Sequence, residues 1–224
     1  MGVMERIIFE LLISIPIAIW TLFVMKVLTK KLYHVLRDRG VEHNVAVYYN
    51  RKLIHITAGG LVLLVPFLYT EPLVPISLSL ILTAIVAKAR MEKKKLMYWF
   101  QTHENDYEVH FTLMTAVMLA LGYLLGNPWY GVLPAAFMAI GDGVTGLIRN
   151  ALFKRRTKSW YGNIGMLIVN VLIGSLVGLP GIIAGIVAAI VERFEFLGGK
   201  IDDNITVPLC SFIVLVLLSR IFNI

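Results

Sequence analysis

Long apolar runs alternate with short polar ones along almost the whole chain. Eight such runs can be drawn, over residues 7–28, 53–69, 73–87, 109–125, 129–148, 164–177, 181–191 and 205–218. A helix crosses a hydrocarbon core about 30 Å thick in roughly 20 residues, so the shorter runs need flanking polar residues near the interface. The pattern predicts an all-α, polytopic membrane bundle of about eight transmembrane helices, organised as a single domain. Residues 1–50 supply the first helix and a basic segment, and residues 51–224 the remainder, where the polar chemistry is concentrated. The first run ends in lysines rather than a small-residue cleavage site, which predicts a retained helix and not a signal peptide.

The connections fall into two kinds. Residues 29–52, 88–108, 149–163 and 192–204 are long and polar, whereas 70–72, 126–128 and 178–180 are tight and neutral. With the long ones on one side, all but Arg6 and Arg220 of the 21 Lys and Arg residues share that side. The positive-inside rule makes it cytoplasmic and leaves both termini outside. Composition agrees with a membrane protein: 58% hydrophobic and 16% charged, with a mean hydropathy of +0.78. The net charge of +7 is then largely a topology signal, which argues against nucleic acid as a partner. A single cysteine, Cys210, excludes an intrachain disulfide and a four-cysteine metal site.

Residues 164–191 carry no charge and allow two readings. The proline between glycines at 178–181 argues for a turn and two short helices; one long tilted helix would put residues 192–204 on the opposite side. In the first connection Leu28, Leu32, Val35 and Leu36 share a helical face among cations, as in a basic amphipathic helix on an anionic leaflet. Residues 91–110 read either as a solvated loop with interfacial aromatics or as a lid over a nucleotide. No internal repeat is visible.

Four polar clusters lie at helix ends on the side assigned to the cytoplasm. Arg51, Lys52 and His55 share a face at the start of the second run, able to anchor an interface or hold phosphate oxygens. Asp142, Thr145 and Arg149 share a face in a glycine-rich helix. A carboxylate there costs roughly 2.5–3.5 kcal/mol and needs a partner: a metal, a proton, or a cation such as Arg149. Lys154, Arg155, Arg156 and Lys158 lead into Ser159-Trp160-Tyr161-Gly162-Asn163, where side-chain charge and backbone N–H groups suit a polyphosphate, Lys158 more than the others. Glu192, Glu195, Asp202, Asp203 and Asn204 exceed what helix capping requires and suit Mg²⁺ held together with phosphates. His34, His43, His103 and His110 have no ligand-like spacing. No Walker motif, kinase glycine loop, H-E-x-x-H or serine-protease signature occurs.

Arg51-Lys52 with His55, Gly141-Asp142-Gly143, Lys158-Ser159-Trp160 with Gly162-Asn163, and Glu192 with Asp203-Asn204, Thr206 and Pro208 together resemble the CTP-dependent polyprenol kinases. This is the group of dolichol kinase and phytol kinase, related to the phosphatidate cytidylyltransferases. The resemblance runs from about residue 50 to the C-terminus, with Arg149-Asn150 standing where small residues and a glycine are usual. It implies transfer of the CTP γ-phosphate to an isoprenoid alcohol (dolichol, phytol or geranylgeraniol type) with a divalent metal, at the cytoplasmic face of an integral membrane protein. On that basis Asp142, Lys158 and Asp203 are expected to be catalytic. Lys52, His55, Arg149, Ser159, Gly162, Asn163 and Asn204 are expected to contact the nucleotide, and Asp142, Asp202, Asp203 and Glu192 to hold Mg²⁺. Expected partners are the bilayer, the prenol and CTP, with a homodimer left open. A cytidylyltransferase making a CDP-lipid would use the same ingredients, and an ion-coupled transporter would use Asp142 and Glu192 as an ion path.

Overall fold

The computed structural model describes residues 2–92, 96–102, 105–155, 157–194 and 201–222; His103, Arg156 and Glu195 lie outside the described residues. Among the described residues there are helices and no strands. α1 (Val3–Phe23) passes through a π turn (Val24–Leu28) into α2 (Thr29–Asp38). α3 (His43–Thr57) continues through a 3-10 stretch (Gly59–Leu64) into α4 (Val65–Leu68), and α5 (Leu73–Met91) and α6 (Tyr107–Leu124) follow. α7 (Trp129–Ala136) joins α8 (Asp142–Phe153) through a second π turn (Phe137–Gly141). α9 (Trp160–Gly174), α10 (Leu179–Val191) and α11 (Asp203–Ile221) complete the chain. Seven helical stretches are long and apolar enough to cross a membrane, and α10, a shorter apolar helix of 13 residues, is the eighth. The protein is an all-α multi-pass membrane bundle.

Residues 164–191 form two helices. Gly178 adopts φ 74°, ψ −152°, a conformation open to glycine but costly for any residue with a Cβ, and Pro180 follows in the first turn of α10. The chain reverses there, and Gly174 packs so closely on Gly181 that a Cβ at position 174 would stand 2.5 Å from the Gly181 carbonyl carbon. This turn brings Glu192 back to the end of the bundle that holds Asp142.

The stretch Trp129–Phe153 is the central pillar: 78% of its apolar window is buried, against 17–39% in the other spans. Pro134 removes one helical donor, and the π turn after it inserts a residue, so the Asp142 N–H reaches the Phe137 carbonyl. After that change of phase the polar residues Asp142, Thr145, Arg149 and Asn150 all point inward.

Helices run further than the apolar runs. α3 begins at His43 and α8 extends to Phe153, and between those exposed ends Asn50, Lys52, His55, Arg149 and Asn150 face protein. In α2 Thr29, Tyr33 and Leu36 pack on the protein, whereas Val35 is exposed and Leu32, like Leu28 before it, is half-buried. In residues 96–102 Trp99 and Phe100 turn inward, whereas Tyr98 stays exposed. Trp99 Nε1 donates to the Met25 carbonyl (2.8 Å), Asn50 donates to the Trp99 carbonyl (2.7 Å), and Phe100 and Gln101 are buried.

At the far end from these charges, the α1 carboxylate Glu10 accepts from Thr70 N (2.7 Å), Thr70 Oγ1 (2.9 Å) and Glu71 N (3.2 Å). Ser14 Oγ and Tyr69 OH share a 2.8 Å bond, and Tyr123 OH donates to the Tyr69 carbonyl. That knot ties α1 to the turn after α4.

Candidate functional site

Three acids from distant parts of the chain converge at the charged end. One carboxylate oxygen each from Asp142, Glu192 and Asp203 lies within 4.8 Å of the others. Each acid has a cationic partner. Lys52 Nζ lies 2.5 Å from Asp142 Oδ2; Arg149 grips Glu192 with both terminal nitrogens (2.8 and 2.9 Å); Lys158 bridges Glu192 Oε1 (2.9 Å) and Asp203 Oδ2 (3.1 Å). Formal charge therefore balances across a buried network, the condition under which such charges persist away from water. The alternative pair Asp142–Arg149 does not form.

Arg149 is the organiser of this layer. It is 2% exposed and also donates to Asn163 Oδ1 (2.7 Å) and the Ser159 carbonyl (3.0 Å). Asn163 in turn donates to Glu192 Oε2 and the Ala189 carbonyl. With these bonds made, Arg149, Asn163 and the Ser159 carbonyl hold Glu192 and the start of α9 in place, outside the lining of the open cleft described below, while Ser159 Oγ is buried with no hydrogen-bond partner among the described residues. Lys158 is held charged and above its ordinary value: burial works to lower it, but Asp203 and Glu192 together outweigh that effect.

Two glycines make room for these cations. A Cβ on Gly146 would meet Lys52 Cγ at 2.6 Å and Cδ at 2.7 Å, and one on Gly162 would meet Arg149 Nε at 2.7 Å. Because Lys52 is pinned by Asp142, its stem cannot simply swing aside. Gly146→Ala is therefore expected to destabilise the protein by about 1–3 kcal/mol, the usual range for overpacking. Thermal unfolding in detergent checks this, and an unchanged midpoint would mean that the stem is free to move.

Asp202 lies at the edge of the cluster, against Asp203. It caps α11 by accepting from Asn204 N (3.0 Å), and its Oδ2 lies 3.1 Å from His110 Nδ1. Burial, reinforced by Asp203, pushes its carboxyl up to about 7 against the stabilising Asn204 N–H. It thus caps α11 and touches Asp203, while its own oxygens are not among the three that converge. One oxygen each of Asp142, Glu192 and Asp203 could serve a divalent ion, and in this structure these acids are paired instead with Lys52, Arg149 and Lys158.

Two cavities open beside this network. The first is a polar cleft of about 390 Å³, walled by Tyr48, Arg51, Lys52, His55, Asp203 and Asn204 among others, with Lys154 and Arg155 at its rim. His55 Nδ1, Asn150 Oδ1 and Asn204 Oδ1 lie in its walls as buried atoms with no hydrogen-bond partner among the described residues. Such orphans are uncommon in folded proteins and mark places where a polar ligand can bind. The second is an apolar cavity of about 270 Å³ between α1, α3, α5 and α6. Arg51 and His55 line both. His55 stacks on Phe111 (ring centroids 4.0 Å apart), and its Nδ1 lies 3.4 Å from Asp142 Oδ2 without the alignment of a hydrogen bond.

Of the residues singled out in the sequence, Arg51, Lys52, His55, Lys154, Arg155, Asp203 and Asn204 reach the cleft. Asp142 sits directly behind Lys52 and His55, and Gly162 packs against Arg149. Sequence reasoning missed Tyr48, whose ring lies 5.2 Å from Lys52 Nζ, Glu108, which pairs with Arg51 (3.1 Å), and His110. Tyr48 was within reach, since it precedes Lys52 by one helical turn; Glu108 and His110 meet partners that only the tertiary fold supplies. Compared with models of known families, with curated proteins and with solved structures, the chain matches none.

Proposed function

We propose that the protein is a lipid kinase that transfers the γ-phosphate of CTP to a membrane isoprenoid alcohol, with the charged end facing the cytoplasm. The observation that carries this reading is the meeting of a cationic polar cleft and an apolar cavity at His55 and Arg51, beside Asp142. A water-soluble anionic donor and a membrane-dissolved alcohol need such a junction. The skew of Lys and Arg toward one set of connections supports the orientation.

Phosphoryl transfer requires positioning and charge neutralisation more than covalent help. In this reading Lys52, Arg51 and the rim cations Lys154 and Arg155 receive the phosphates, and Asn150 and Asn204 offer their unpaired oxygens to donors on the nucleotide. Asp142 and Asp203, with Glu192 behind them, would hold Mg²⁺, which when bound neutralises charge on the phosphates. The alcohol oxygen lies at His55, whose Nδ1 makes no hydrogen bond and is placed to take the hydroxyl proton, with Asp142 Oδ2 3.4 Å behind it. Lys158 is committed to Glu192 and Asp203, so its part is to hold Asp203 in place.

The test is incubation of the purified protein with a prenol and CTP labelled at the γ-phosphate. Label in the lipid is the expected result. Label released in pyrophosphate would mean a cytidylyltransferase instead, and label in neither would end both readings. Nucleotide-independent ion uptake in liposomes that disappears in Asp142→Ala would favour a transporter.

A further inference from the structure

The apolar cavity has features that say what fills it. Three of its wall hydroxyls are turned back on the protein: Ser79 Oγ donates to the Thr112 carbonyl, Thr112 Oγ1 to the Glu108 carbonyl and Thr115 Oγ1 to the Phe111 carbonyl. With those hydroxyls occupied, the wall offers almost nothing to water, and a cavity of that kind takes hydrocarbon. Three wall residues, Leu22 of α1 and Ile81 and Ile85 of α5, are also 39–56% exposed on the outer surface of the bundle. The cavity thus opens sideways toward lipid between α1 and α5.

Its two ends differ. At one end Arg51, His55 and Glu108 form a charged mouth. At the other the wall reaches Tyr69, which is fixed by Ser14 Oγ and by Tyr123 OH at its carbonyl. From His55 to Tyr69 the chain runs through α3, the 3-10 stretch and α4, a rise of roughly 24 Å at about 1.5 Å per α and 2 Å per 3-10 residue. That exceeds half of the roughly 30 Å hydrocarbon core, so a chain lying here would span more than one leaflet.

We infer that this cavity is the hydrocarbon site for one extended chain of a long-chain alcohol, which enters between α1 and α5, lies with its hydroxyl at His55 and ends against Tyr69. The inference rests on the kinase reading for the identity of the headgroup, but the chain site itself does not depend on phosphate transfer. A single groove fits one tail, and Tyr69 sets the length beyond which further carbons add no contact. Val62, buried in the wall midway along, is the position where bulk would shorten the site.

Two measurements test this. The first uses unmodified protein and long-chain primary alcohols carrying a diazirine either next to the hydroxyl or at the tail tip, with the cross-linked residues identified by mass spectrometry. The first probe should mark the Ile54, Leu82 and Val86 level, and the second the Val65 and Tyr69 level. Cross-links scattered over the outer faces of α9 and α11, or the same for both probes, would overturn the proposal. The second compares kcat/KM for geraniol, geranylgeraniol and a dolichol. Activity should rise with length until the cavity is filled and then level off. Val62→Trp should lower the geranylgeraniol-to-geraniol ratio about tenfold or more, the discrimination that apolar pockets give; an unchanged ratio in a folded variant would count against the site. Ordered cross-links without phosphate transfer would leave the chain site standing and remove the kinase reading. Phosphate transfer with disordered cross-links would do the reverse.

Discussion

Asp142→Asn lowers turnover about a hundredfold or more in this account, the loss of roughly 3 kcal/mol that follows removal of one electrostatic stabiliser from a reaction centre. Asp203→Asn has an effect of the same order. Both acids sit where the three carboxylates converge, and asparagine keeps their shape while removing the charge. A purely structural role must be separated from this, because Asp142 also neutralises Lys52, which is buried. The double variant Lys52→Met/Asp142→Leu makes the separation: removing both members of a buried pair is often neutral for stability, so the double variant should recover the unfolding midpoint but not the activity. Steady-state kinetics and thermal unfolding on the same preparations read the two effects. Activity that survives in both asparagine variants would remove the assigned site.

The largest loss of stability belongs to Glu192→Leu. Glu192 is 1% exposed and accepts four side-chain hydrogen bonds: two from Arg149, one from Lys158 and one from Asn163. Its removal strands the Arg149 guanidinium, which is equally inaccessible, at a cost of about 3–5 kcal/mol. That is a large fraction of the 5–15 kcal/mol by which folded proteins are typically stable, so the variant should accumulate poorly and unfold early in detergent. Glu192→Gln keeps the shape and should fall in between. A Glu192→Leu protein with an unchanged midpoint would show that α8, α9 and α10 are held together by apolar packing alone.

How much of this was readable beforehand differs between levels. The helical membrane architecture followed directly from the length and spacing of the apolar runs, because a bilayer admits few alternatives. The gathering of Asp142, Glu192 and Asp203 at one end depended on the turn at Gly178, and the proline between glycines pointed to it. The roles within the network were less legible. Arg149 carries a charge in a glycine-rich helix, which reads as a phosphate ligand, yet its partners Glu192, Asn163 and Ser159 lie 10–43 residues away in sequence. Asp202 and Asp203 are adjacent, but helix initiation at Asp203 sends one side chain to cap α11 and the other to Lys158. The apolar cavity left no signature at all, since its walls come from four helices that read as ordinary membrane spans.

Everything above requires one charged rim shared by α3, α8, α10 and α11, and side-specific thiol labelling measures that directly. On a Cys210→Ser background, single cysteines at Arg155 and Phe194 should react with a membrane-impermeant reagent from the same side, and cysteines at Asn127 and Leu179 from the other. Should position 194 react from the side opposite to position 155, the α9–α10 reversal does not exist in the membrane. Glu192 could not then meet Asp142, and the site would have to be abandoned.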